Sequence, residues 1–215
     1  MNAVPAASSH SHRTPRYIYR RTRQLFYERS HPDHPWLTPA AIRLLSRLLR
    51  PCDLGAEFGS GRSTLWFAAR IAGLTSVEHD PQWHGMVSTR LKERGLSNVE
   101  YILAPGDQPV ERGGESAYAR AALAFGDASL DFALVDGRYR DYCAKYILPK
   151  IKPGGMLIID NVNWYLPCHS KAPNSRTVTA GPAPGAWAEV WRELAGWRTI
   201  WTSSGVWDTA IFIRS

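Results

Sequence analysis

The sequence predicts an α/β fold built on a doubly wound, mostly parallel sheet. From residue 51 onward, short apolar runs alternate with helical patterns, as they do where crossover helices cover both faces of a parallel sheet. One of these runs, LGAEF, leads directly into a glycine-rich turn, GSGRST, that opens a helix. The last two runs, WRTIWTS and DTAIFIRS, are separated only by the turn around Gly205, too little for a crossover, so they pair as an antiparallel hairpin.

Each element has its own punctuation. After LGAEF, the stretch RSTLWFAARIA reads as a helix with Leu65, Ala68, Ala69 and Ala72 along one side. LTSVEH is the next strand. Asp80 then caps a helix, Pro81 occupies its first position, and Gly95 ends it after Arg94. VEYIL, DFALV and GMLIID supply three further strands, with helices around 115–125 and 139–150 between them. A Pro- and Ser-rich loop over 166–184 precedes a helix at 186–195 and the closing hairpin. The expected result is a seven-stranded, Rossmann-like sheet, parallel except for an antiparallel C-terminal strand.

Charge is distributed unevenly. The net charge is +7, yet residues 1–50 hold nine Arg against Glu28 and Asp33, while residues 51–215 balance seventeen basic against seventeen acidic side chains. Three regions follow: an Ala/Ser/His/Pro-rich tail over 1–15 read as disordered, a basic arm with helices over 16–50, and the sheet domain over 51–215. The arm mixes arginines with Tyr17, Ile18, Leu25, Phe26 and Tyr27. It suits nucleic acid or an anionic membrane surface, or a helix packed on the domain or on a second subunit with its arginines in water. It is also Arg- and Ser-rich and poor in acids, as transit peptides are. No apolar run is long enough to span a membrane. Three widely spaced cysteines, Cys52, Cys143 and Cys168, argue against a disulfide framework and favour a cytoplasmic setting.

The glycine turn lies where open α/β sheets bind ligands, beyond the carboxyl end of the first strand. A dinucleotide would want GxGxxG, but the third glycine is replaced by Thr64. Glu57, two residues before Gly59, would repel a pyrophosphate and attract an ammonium group. Glu78 ends the second strand seventeen residues after Gly61, where a carboxylate can accept both ribose hydroxyls, whereas the neighbouring Asp80 is better explained as the helix cap.

Taken in order, EFGSGRST, SVEHDPQW, DFALVDGRYRDY and GGMLIIDNVNWY resemble the class I S-adenosylmethionine-dependent methyltransferases over residues 36–215. The resemblance implies that Glu57, Gly59, Ser60, Gly61 and Ser63 surround the methionine part of the cofactor and that Glu78 binds its ribose. It also implies that Gly106 and Asp107 lie near the adenine, unless Asp107 is only a turn residue. Trp36, Leu37 and Thr38 become lid residues, although Thr38 also fits a helix cap followed by Pro39.

Asp136 follows the fourth strand and Asp160–Asn161 ends the fifth, so adjacent strands bring three oxygen donors together. Such donors suit Mg²⁺, and Asp136 also borders the cofactor. This resembles the divalent-metal-dependent catechol and caffeoyl-CoA O-methyltransferases, which the metal serves as a Lewis acid. The alternative is that Asp136 contacts substrate or backbone and Asp160 caps a loop. Those enzymes place a lysine base where this chain has Tyr139 between Arg138 and Arg140. A Tyr139 phenolate favoured by the arginines, a metal-bound alkoxide, or a different chemistry must stand in. Trp164, Tyr165 and His169 are the expected substrate contacts, with Asn163 and Arg176 orienting a polar or anionic acceptor.

The expected activity is methyl transfer to an oxygen of a small-molecule acceptor, with S-adenosylmethionine and a role for Mg²⁺ left open. An RNA or other macromolecular acceptor read by the basic arm is the alternative within the class, and a non-catalytic scaffold the alternative outside it. A nicotinamide-dependent oxidoreductase is the outsider. The tryptophans crowded from Trp187 to Trp207 fit a core or a homodimer interface equally.

Overall fold

The computed structural model describes residues 14–215. Of the tail expected over 1–15, residues 1–13 therefore lie outside the described residues. Two helices precede the sheet domain, α1 (Pro15–Ser30) and α2 (Pro39–Leu48). Each begins with a threonine cap, Thr14 or Thr38, followed by proline at the first helical position.

Seven strands form one sheet: β1 (Leu54–Phe58), β2 (Gly73–Glu78), β3 (Val99–Leu103), β4 (Leu130–Val135), β5 (Ile151–Asp160), β6 (Arg198–Ser203) and β7 (Asp208–Ile213). Their spatial order is β3-β2-β1-β4-β5-β7-β6. Strands β1 to β5 are parallel, and β7 enters antiparallel between β5 and the edge strand β6. The antiparallel strand is thus internal. The hairpin expected from the short Gly205 turn is present, with its second strand tucked inward.

Side-chain alternation sorts the core into two layers, as a sheet buried on both faces requires. Phe132, Leu134, Met156 and Ile158 face α2 and the helix α3 (Arg62–Ala68), meeting Leu37, Ile42, Leu45 and Phe67. Ala133, Val135, Leu157 and Ile159 face α6 (Arg140–Ile147) and α7 (Trp187–Leu194), meeting Cys143, Ile147, Trp187 and Val190. A short helix, α5 (Ala117–Arg120), adds the fully buried Tyr118 to that layer. The remaining helix, α4 (Pro81–Glu93), packs Val87 and Leu91 on Leu65 beside β2 and β3. Phe67 and Phe132 pack in a tilted pair with ring centres 4.8 Å apart, and each buried ring of this size contributes about 1.5–3 kcal/mol.

Helix α3 is shorter than its sequence pattern, because Ala69 and Arg70 already turn toward β2. Strand β5 begins earlier than expected, at Ile151, and carries Pro153 and Gly154 before the buried run.

Candidate active site

The strand order reverses between β1 and β4, which opens a crevice at their carboxyl ends. Two glycines let the loops above it meet. Gly59 has φ +97°, and a Cβ there would lie 2.6 Å from the Gly137 nitrogen. A Cβ on Gly137 would fall 1.9 Å from the Tyr118 hydroxyl. Neither position has room for a side chain, and Gly59 also needs the backbone conformation that glycine adopts freely.

Glu57 sits below this crossing, fully buried. Its Oε2 accepts hydrogen bonds from Thr64 Oγ1 at 2.6 Å and Ser76 Oγ at 2.7 Å, and the Ser63 hydroxyl nearby also favours the ionised carboxylate. Its Oε1 is buried without a partner. Burial raises the Glu57 pKa to about 7 against the lowering effect of these hydroxyls. Gly61 donates to Thr64 Oγ1, and a Cβ on it would find Trp83 no nearer than 3.7 Å, so the turn keeps a bare surface.

Glu78 is almost completely buried and heavily engaged. Oε2 accepts from Ser60 N at 3.0 Å and Ser60 Oγ at 2.8 Å; Oε1 accepts from the backbone of His79 and Asp80 and lies 2.9 Å from the His79 ring. Trp83 Nε1 donates to the Ser60 carbonyl, and Tyr101 Oη lies 2.5 Å from Ser60 Oγ. A ribose at Glu78 would take over the place of Ser60 Oγ on the carboxylate. Gly106 borders this region, where a Cβ would sit 3.0 Å from Arg138 and 3.4 Å from His79, while Asp107 is exposed.

On the other side of the crevice lies a cavity of about 350 Å³ lined by Asp136, Asp160, Asn161, Trp36 and Trp207, with Arg21 and Glu28 of α1 over it. The three oxygen-bearing side chains therefore do converge. Arg140, at the start of α6, lies among them. Its Nη2 is 2.9 Å from Asp136 Oδ1 and donates to the Asp136 carbonyl at 2.6 Å. Nη1 donates to the Asp160 carbonyl at 2.6 Å and to Asn161 Oδ1 at 3.0 Å, and Nε donates to the Gly137 carbonyl at 2.9 Å. Every donor of the planar fork is thereby used.

This geometry decides how well the triad fits Mg²⁺. Among the described residues no group of three or more His, Cys, Asp or Glu side chains is placed to hold a metal. Asp136 Oδ1 and Asn161 Oδ1, two of the expected ligand atoms, instead accept from a guanidinium whose charge would repel the ion. Asp160 is directed elsewhere, its Oδ1 accepting from Thr209 Oγ1. Burial and the neighbouring Asp136 hold the Asp160 pKa well above the usual carboxylate range. Asp136 is raised by burial and lowered by Arg140, with burial the larger effect. The triad as folded does not fit a divalent ion.

Other expectations also move. Tyr139 adopts a left-handed conformation, φ 46°, and is buried with its hydroxyl donating to the Gln108 carbonyl, so it lies outside the cavity and is not placed to take a substrate proton. Asn163 is buried and holds the loop together, bonding Ser175, the Pro173 carbonyl and the Asp208 nitrogen. Arg176 is likewise spent on the carbonyls of Ala180 and Gly181. Tyr165 stacks on Trp187 at 4.8 Å, with the Arg140 guanidinium 5.8 Å from its ring centre, and Trp164 is exposed. His169 lines a different cavity, together with Trp191 and Trp201.

Of the expected lid, Trp36 borders the cavity beside Asp136 while Leu37 is core. Thr38 is both a helix cap and a link to the site: its nitrogen donates to Thr209 Oγ1, which in turn donates to Asp160. Sequence reasoning missed Gly137, Arg140, Trp207 and the α1 residues Arg21 and Glu28. A signal existed for Arg140, four residues after Asp136 at a helix start, a spacing at which opposite charges meet.

Residues 56–162 match the family model described as a methyltransferase domain. Among solved structures, the chain resembles a candidate caffeoyl-CoA O-methyltransferase from Staphylococcus aureus, with 16% identity, TM-score 0.55, and coverage of 96% of this chain and 95% of that one. A methyltransferase from Geobacter sulfurreducens aligns at 16% identity and TM-score 0.53 over 92% and 90% of the two chains. A candidate methyltransferase from Streptococcus mutans, solved with S-adenosylhomocysteine, aligns at 11% identity and TM-score 0.51 over 80% and 94%. The fold is the Rossmann-like methyltransferase fold, and with the family match it supports a class I methyltransferase. No curated protein matches the sequence.

Proposed function

We propose that the protein is an S-adenosylmethionine-dependent methyltransferase acting on an oxygen of a small-molecule acceptor. The observation that carries the reading is Glu57: a fully buried carboxylate beside the bare glycine turn, with one oxygen lacking any partner. An amino-acid ammonium group is the natural complement of such an atom. Glu78, at the end of the neighbouring strand, is the ribose acceptor in this reading, and Ser60 the group it exchanges for ribose hydroxyls.

When bound, S-adenosylmethionine supplies an electrophilic methyl group that needs alignment more than activation. The chain's own residues do the rest. Trp36 and Trp207 wall the acceptor cavity and give it flat apolar sides. Asp136 lines the cavity with its Oδ1 paired to Arg140, and in this reading it is the group that takes the acceptor hydroxyl's proton. Burial and the neighbouring Asp136 favour the protonated form of Asp160, which leaves Asp136 as the carboxylate paired with the guanidinium. Arg140 fixes both strand ends and supplies the positive charge that a metal would bring.

The test is calorimetric titration of S-adenosylmethionine and S-adenosylhomocysteine into wild type and Glu78→Ala. Wild type should bind both, and the variant should bind about 10- to 100-fold more weakly, the worth of hydrogen bonds to a charged group. Failure of either compound to bind wild type at millimolar concentration would remove the reading and leave a scaffold with this fold.

A further inference from the structure

Beyond the reaction cavity the protein has a second and larger one, of about 650 Å³. It lies against the face of β6 that presents Thr199, Trp201 and Ser203, and is closed by Trp191 of α7, the loop from Pro167 to Lys171, and Arg16 and Arg20 of α1. The indoles of Trp191 and Trp201, with Pro167, make its walls flat and apolar. Its charged rim is unbalanced. Arg16, Arg20 and Lys171 all border it, and among the described residues none of them forms an ion pair with a carboxylate. Asp208, wholly buried, also lines the cavity: its Oδ2 accepts from Trp201 Nε1 at 2.8 Å, while Oδ1 has no partner. A buried carboxylate oxygen left unpaired is costly, and a ligand donor would relieve it.

We propose that this cavity is a ligand site for a ring-bearing anion that carries a hydrogen-bond donor on its apolar body. The rings lie along Trp191 and Trp201, the negative end meets Arg16, Arg20 and Lys171, and the donor serves Asp208. The site is distinct from the cavity beside Asp136, with which it shares no lining residue. It does not rest on the methyltransferase reading.

The test uses 1-anilinonaphthalene-8-sulfonate, which has fused rings, an N–H and a sulfonate, beside uncharged N-phenyl-1-naphthylamine. Fluorescence titration should show one saturable sulfonate-dye site on the full chain, insensitive to S-adenosylhomocysteine, and weaker binding of the neutral dye. Arg16→Glu with Lys171→Glu, both exposed positions, should weaken the anionic dye about tenfold or more and leave the neutral one unchanged. Trp191→Ala should weaken both dyes, with thermal melts confirming that the variants fold. Absence of a saturable site overturns the proposal, and so does anionic-dye binding that survives both sets of substitutions.

Discussion

Protonation of Glu57 should control cofactor affinity. The carboxylate has a pKa of about 7 because burial outweighs the hydroxyls of Ser63, Thr64 and Ser76. Only the ionised form complements an ammonium group, so binding draws Glu57 toward ionisation and releases a proton. The ionised fraction rises from about 9% at pH 6 to about 76% at pH 7.5, so S-adenosylhomocysteine affinity should rise about eightfold across that window. The sign for stability is opposite. A carboxyl whose folded pKa lies above its unfolded value stabilises the fold below the unfolded value, near 4.5, and loses that contribution as pH rises through about 7. The unliganded protein should therefore be less stable at pH 7.5 than at pH 5 from this group, by about 3 kcal/mol at most. Calorimetry in two buffers of different ionisation enthalpy reads the released proton directly, and Glu57→Gln should weaken binding and flatten its pH dependence. Affinity that is level with pH in wild type, or a pH profile retained in Glu57→Gln, would refute the assignment of Glu57 to the ammonium group.

Three further outcomes follow from the geometry of the site. Arg140→Met removes five donors and leaves Asp136 unpaired, which should cost about 3–5 kcal/mol by urea denaturation. The Asp136 pKa should climb further in that variant, so its deficit should grow as pH rises through the new value. Wild type titrated with Mn²⁺ and followed by electron paramagnetic resonance should show no saturable site; one that disappears in Asp160→Asn would mean that Arg140 yields to a metal. Gly59→Ala should destabilise the protein by about 1–3 kcal/mol and abolish S-adenosylhomocysteine binding, because the new methyl group meets the Gly137 backbone and its φ is unfavourable. A stable, binding-competent Gly59→Ala protein would show that the β1 and β4 loops are free to separate.

The architecture was legible in the sequence because its determinants are local. Alternating apolar runs, the Asp80–Pro81 helix start and the short Gly205 turn act within a few residues, and the strands and the Asp80-capped helix appear where they put them. The helix expected around 115–125 shrinks to the four residues of α5. The internal position of β7 was less accessible, since a hairpin's length says that two strands pair and not which of them joins the sheet. The cofactor side is similar: Glu57, the glycines and Glu78 lie close to one turn, and the structure brings them to one crevice. The acceptor side depends on long-range encounters. Asn163 and Arg176 look available in sequence, yet the loop they belong to uses them to satisfy its own buried carbonyls and hydroxyls. Tyr139 was misplaced for a related reason. Its left-handed backbone turns the ring into the core, and no pattern in GRYRDY signals that turn.

Arg140 shows what a motif omits. Two aspartates and an asparagine at the ends of adjacent strands are equally suited to a divalent ion and to a guanidinium, because either provides the positive charge that lets buried carboxylates coexist. What separates the two is geometry. A metal needs oxygen atoms converging on one point, whereas Arg140 reaches its acceptors with donors spread over a plane and includes three backbone carbonyls among them. Those carbonyls belong to Asp136, Gly137 and Asp160, the residues at which the two strands leave the sheet. The guanidinium therefore acts on backbone position as well as charge. It holds Asp136 at the cavity wall and, through Asn161, sets the left-handed turn that follows β5. A lysine in its place would keep the charge but could not span these five contacts, so Arg140→Lys should retain net charge and still lose much of the Asp136 alignment.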